Sequence, residues 1–67
     1  MRIRLNGEEY TTEAATVRTL LQEQDIDGEM RGVAVALNDS VVPRSAWDSK
    51  TLSDGDTIEI VKPFRGG

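Results

Sequence analysis

The first five residues alternate apolar and charged side chains, Met1-Arg2-Ile3-Arg4-Leu5. That is the period-two pattern of a half-buried strand, with Met1, Ile3 and Leu5 facing in and Arg2 and Arg4 facing out. Asn6-Gly7 follows, a dipeptide suited to a two-residue hairpin turn in which both residues need positive φ. A second strand over residues 8–12 then carries a half-buried Tyr10. The period changes at Thr16, a natural N-cap. Val17, Leu20 and Leu21 form one apolar stripe, predicting a helix of about eight or nine residues. This helix should stop before Asp27-Gly28, with Gly28 in the left-handed position after the C-cap and Ile26 packed just beyond the last turn. So short a helix is not stable alone and has to lie on a sheet.

The period of two returns in residues 32–37, which read as the central strand, where Val33, Val35 and Leu37 point one way and the small Ala34 and Ala36 the other. Asn38-Asp39 turns the chain, and Val41-Val42 makes a short strand that Pro43 ends. A single turn over residues 45–47 drops Trp47 onto the core or its edge, and Leu52 anchors a loop. Asp54-Gly55-Asp56 is a tight turn into a last strand, residues 57–61, with Ile58 and Ile60 inward and Val61 outward. The order is hairpin, helix, strand, short strand, turn, strand. It predicts an α+β roll, a single-domain β-grasp with a mixed sheet of four to five strands and one main helix packed on one face. The first and last strands lie side by side and parallel, joined through the crossover. The domain covers residues 1–61, and residues 62–67 form a flexible C-terminal tail.

Composition narrows what such a domain can do. The 67 residues contain no Cys and no His, so disulfides, a thiol nucleophile, a histidine base and a zinc finger are excluded. No nucleophile–base constellation is present, so the chain reads as a non-enzyme. The net charge of −4 and the dispersed basic residues argue against nucleic-acid binding. No apolar run reaches the length of a membrane span. The absence of cysteines and of a signal peptide points to the cytoplasm. Asp54 and Asp56 flank a turn glycine and read as turn formers, far short of a calcium loop. Asp25, Asp27 and Glu29 read as a solvated acidic loop.

The tail is the other feature. Six residues reach at most roughly 20 Å when extended, and Pro63 stiffens the root. Gly66-Gly67, lacking Cβ, can thread a narrow channel. Phe64 either packs against the body, on Tyr10 or the first hairpin, or stands out as an aromatic anchor for a partner. Arg65 is either solvated or paired with an acid lining a partner's channel. On the outward sheet face, Val61, Ala34, Ala36 and Glu59 adjoin the tail and make a candidate docking patch.

Several motifs fall in one order and spacing: Thr16-Val17 with Leu20-Leu21, Val35-Ala36-Leu37-Asn38, Val41-Val42-Pro43-Arg44, Trp47, Asp54-Gly55-Asp56, an Ile-rich strand, and the final Gly66-Gly67. Together they resemble the ThiS family, the sulfur carriers of thiamin biosynthesis within the ThiS/MoaD ubiquitin-like superfamily. The resemblance implies a protein cosubstrate. A ThiF-type adenylyltransferase would use ATP and Mg²⁺ to adenylate the Gly67 carboxylate, while the carrier itself binds no cofactor and no metal. Sulfur from a cysteine desulfurase or other donor would displace AMP and leave a thiocarboxylate. A ThiG-type thiazole synthase would then consume that sulfur. Gly66, Arg65 and Phe64 would thread into the partners' active sites. The alternatives are a MoaD-like small subunit of molybdopterin synthase, a ubiquitin-like modifier and a plain interaction module.

Overall fold

The computed structural model describes residues 1–26 and 31–62. Five strands form one sheet: β1 (Arg2–Leu5), β2 (Glu8–Thr11), β3 (Ala34–Leu37), β4 (Ser40–Val41) and β5 (Thr57–Val61), in the order β2-β1-β5-β3-β4. One helix, α1 (Val17–Glu23), and one 3₁₀ turn (Arg44–Ala46) complete the elements. β1 and β5 are parallel, and the other pairs are antiparallel. The mixed sheet and single packed helix are those of the predicted β-grasp.

Alternation along the strands decides which face is covered. Ile3, Val35, Leu37, Ile58 and Ile60 are buried together with Val17, Leu20 and Leu21 of α1. Thr16 caps the helix as predicted, its side chain accepting a hydrogen bond from the Thr19 N–H. The C-terminus differs from expectation. The helix is seven residues long, and the left-handed residue after its C-cap is Asp25, with φ of 59°. The Asp25 N–H bonds the Gln22 carbonyl and the Ile26 N–H the Leu21 carbonyl. These two bonds, with Leu21 and Ile26 both buried, are the Schellman closure. Gly28, to which the sequence reading gave this role, lies outside the described residues. An aspartate tolerates the left-handed region better than most side chains, so the helix closes before a glycine is reached.

Two further expectations need correction. Met1 is 40% exposed rather than inward, and its ammonium group donates to the Thr12 carbonyl. Leu5 faces in as expected, partly buried against the core. The short strand is Ser40–Val41, and Val42 is the buried member of the valine pair. The cause is the Asn38-Asp39 turn, whose two positive φ values set a two-residue hairpin and the register Leu37↔Ser40 and Ala36↔Val41. Of the two places the sequence offered Trp47, the core and its edge, it takes the core, at 1% exposure. Its indole Nε1 donates to the Val42 carbonyl at 3.0 Å, and the Arg44 guanidinium sits 4.6 Å from the ring centroid. Trp47 therefore ties the segment after β4 to the core, while its backbone carbonyl accepts from the Arg18 N–H of α1.

Candidate functional site

The uncovered face of the sheet is fixed by register. On β5 it carries Thr57, Glu59 and Val61, on β3 Ala34 and Ala36, on β1 Arg2 and Arg4, and on β4 Val41. Ala34 stands opposite Val61, and Ala36 lies between Glu59 on one side and Val41 on the other. The four predicted docking residues are thus neighbours on one face. Val61 is 61% exposed, Ala34 and Glu59 are exposed, and Ala36 is half-buried beneath its longer neighbours.

Val41, 77% exposed, extends this apolar strip. The sequence reading missed it by placing the strand one residue late. The signal was present in the positive-φ preference of Asn38-Asp39, which fixes the register of the following strand. Across the sheet Arg4 pairs in register with Glu9 and Thr57, and its guanidinium donates to the Gly7 carbonyl at 3.0 Å. The face therefore grades from charged on β1 to apolar on β3 and β4.

The central strand is β5, which leads to the tail, rather than β3 as the sequence suggested, because β5 pairs with both β1 and β3. The chain therefore reaches Lys62 from the middle of the sheet. Two turn asparagines hold it. Asn38 Oδ1 accepts from the Thr57 N–H at 2.9 Å, and Asn6 Oδ1 accepts from the Ile60 N–H at 2.7 Å. The sequence marked both as turn residues but gave no signal that their side chains reach β5. The tail residues Phe64, Arg65, Gly66 and Gly67, with Pro63, lie outside the described residues.

Asp54 Oδ1 accepts from the Arg2 N–H at 2.8 Å, and Asp56 accepts from the Ser53 N–H at 2.7 Å and from Asn38 Nδ2 at 3.1 Å. Asp56 closes the turn, as expected, whereas Asp54 ties the turn to β1. Among the described residues no group of three or more metal-ligating side chains comes together. The phenol of Tyr10 is held above its ordinary value by desolvation and by the Glu23 carboxylate, whose Oε1 accepts from Tyr10 Oη and from the buried Thr12 hydroxyl. That contact links β2 to α1 and stands on the core side, away from the open face. Among the described residues no helix is long and apolar enough to cross a membrane.

A mixed sheet with parallel first and last strands, one helix beneath it and one open face above defines a ubiquitin-like β-grasp protein. The chain belongs to the ThiS family, whose family model matches residues 3–67. It is 36% identical over 63 residues to the sulfur carrier protein ThiS of Thermus thermophilus, covering 94% of this chain and 95% of that one. It is 41% identical over 68 residues to a thiazole synthase of Paramagnetospirillum magneticum; the match covers this whole chain but only 20% of that protein. Among solved structures, the thiamine biosynthesis protein ThiS of Geobacter metallireducens superposes with a TM-score of 0.79 at 33% identity, covering 100% of both chains. A chain from the complex of subunits 1 and 2 of the molybdopterin-converting factor of Helicobacter pylori superposes with a TM-score of 0.55 at 28% identity, covering 98% of this chain and 96% of that one.

Proposed function

We propose that this protein carries sulfur for thiazole formation in thiamin biosynthesis, as a thiocarboxylate on Gly67. The observation that carries the reading is the family match, which runs to residue 67 and so includes Gly66-Gly67. The carboxylate of Gly67 is an anion at neutral pH and a poor electrophile. A ThiF-type adenylyltransferase, with ATP and Mg²⁺, joins it to AMP and releases pyrophosphate. The terminal sulfur of a desulfurase-derived persulfide then attacks the acyl-adenylate and expels AMP, and a second thiol cleaves the resulting acyl disulfide, leaving the thiocarboxylate on Gly67 and a disulfide on the donor side. The carrier supplies presentation: a central strand that delivers the tail, and an open face on which Val61, Ala34, Ala36 and Glu59, extended by Val41, meet the partner. Phe64, Arg65 and Gly66 occupy the partner's channel. This work belongs in the cytoplasm, where ATP is made available to the activating enzyme.

The consumer in this reading is a ThiG-type thiazole synthase. Two observations favour it over molybdopterin synthase: a relative that is itself a thiazole synthase, and a higher structural similarity to a thiamin-pathway protein than to the molybdopterin-converting factor. The test combines the protein with the matched activating enzyme, ATP, a cysteine desulfurase and cysteine, and records an intact mass. Oxidation of a methionine adds nearly the same mass as the exchange of oxygen for sulfur, so fragmentation has to place the change on Gly67. A variant with one residue added after Gly67 should stay folded and uncharged. Normal charging of that variant, or no sulfur on the natural protein, overturns the mechanism. Transfer of the sulfur to molybdopterin precursor but not to the thiazole precursor overturns the pathway.

A further inference from the structure

β1 ends at Leu5, opposite Ile58 of β5. At Asn6 the main chain turns away into β2, with φ of 50°. The Asn6 N–H still donates to the Ile58 carbonyl at 2.9 Å. The next β5 amide facing that side belongs to Ile60, where β1 has no further carbonyl to offer. The Asn6 side chain fills the place: its Oδ1 accepts from the Ile60 N–H at 2.7 Å, in a part-buried position. One residue thus brackets Glu59 and carries the β1 side of the ladder two residues beyond the end of β1. On the other side, β3 holds β5 through the Ala34↔Val61 pair.

We propose that Asn6 is a positioning residue for the tail. By bracing Ile60 it fixes the direction in which the chain leaves the sheet at Val61 and Lys62, and so how Gly67 is presented to the activating enzyme. This rests on the sulfur-carrier reading. Without the brace, the backbone at the end of β5 is bonded from the β3 side alone, leaving the buried Ile60 side chain to resist its turning about that ladder. Asparagine meets both demands of the position. It tolerates the left-handed φ, and its side-chain carbonyl accepts the amide. Glycine meets the first demand only, whereas aspartate meets both.

The experiment compares the natural protein with Asn6→Gly and Asn6→Asp. Amide hydrogen exchange in the free protein reads the brace, and steady-state adenylation by the matched activating enzyme, with kcat and KM separated, reads presentation. In Asn6→Gly the Ile60 amide should exchange about tenfold faster or more while Val35 and Leu37 amides are unchanged. Its kcat should fall about tenfold, since a misplaced reacting group slows the step rather than the docking, and KM should hold. Asn6→Asp should restore both readouts to within about twofold of the natural protein, because its carboxylate oxygen takes the place of the amide oxygen. Unchanged kcat in Asn6→Gly overturns the proposal even if Ile60 exchanges faster. So does a fall in kcat with every amide loosened together, which is a stability effect. If the natural protein is adenylated and only this comparison fails, the carrier reading stands; if the natural protein is not adenylated, both fall.

Discussion

Val61 and Ile60 are adjacent and both β-branched, yet the sheet assigns them to opposite faces, and threonine substitutions should separate them cleanly. Ile60 is 8% exposed against 61% for Val61. Ile60→Thr removes apolar carbon worth about 1.5 kcal/mol and leaves a hydroxyl in the core, which costs about another 1–3 kcal/mol if it finds no partner. The expected loss is about 3 kcal/mol. A domain of this size has about 3–10 kcal/mol of stability to lose, so the substitution brings it near or past its unfolding midpoint. Val61→Thr keeps the branching and places its hydroxyl in water, so stability should move by no more than about 0.5 kcal/mol. Trp47, the single tryptophan and almost fully buried, makes intrinsic fluorescence a direct probe of urea unfolding. With a urea slope of about 1 kcal/mol per molar, the Ile60→Thr midpoint should fall by about 3 M and that of Val61→Thr should hardly move. Affinity for the activating enzyme should follow the opposite rule. Val61→Thr should weaken capture by about 1 kcal/mol, at the modest end for an interface residue. If Val61→Thr costs more fold stability than Ile60→Thr, the assignment of faces along β5 is wrong. If it leaves capture unchanged, Val61 is an ordinary exposed valine.

Thr16→Ala should cost about 1 kcal/mol in urea unfolding, because α1 loses its side-chain cap; no change in the midpoint would count against the Thr19 contact. Asp25→Gly should raise the thermal midpoint, by about 0.5–1 kcal/mol in stability, since glycine takes the left-handed position without a Cβ penalty; a lower midpoint would mean that the carboxylate holds something the backbone geometry does not reveal. Tyr10, whose pKa is raised in the fold from its ordinary value of 10.0, contributes stability that is complete below that value and is lost as pH rises through the folded pKa. Thermal midpoints measured from about pH 9 to pH 11 should therefore fall less steeply for Tyr10→Phe than for the natural protein; parallel curves would remove Tyr10 from the alkaline transition.

Much of the fold was legible because the chain switches period where it switches element. The alternation of Arg2-Ile3-Arg4 and of Ile58-Glu59-Ile60 specified strand faces, and Val17, Leu20 and Leu21 specified the helix face. The parallel pairing of first and last strands followed from a crossover that has to bury that helix. Helix closure was misplaced because glycine was favoured over an aspartate two residues after the last helical residue. Local propensity ranks those residues, but the buried pair Leu21 and Ile26 decides between them. Val41 and Val42 were placed together because two valines carry no phase; only the turn before them does. The candidate face was legible as far as alternation reached, through Val61, Ala34, Ala36 and Glu59, and failed at Val41 for the same reason. The reach of Asn6 and Asn38 across to β5 could not be read at all, since a side chain 54 residues from its partner in one case leaves no local trace.

The placement of β5 also has a mechanical side. In the proposed carrier role the residues after β5 would be drawn into a partner's channel and later withdrawn, so that force would act on the end of β5. If β5 lay at the edge of the sheet, traction on that end could peel its hydrogen bonds away one after another. Because β5 is central, with bonds to β1 on one flank and β3 on the other, traction along it loads both ladders in shear, and many bonds share the load at once. If the proposed role holds, a central β5 lets so small a domain bear such traction without being unravelled from that end.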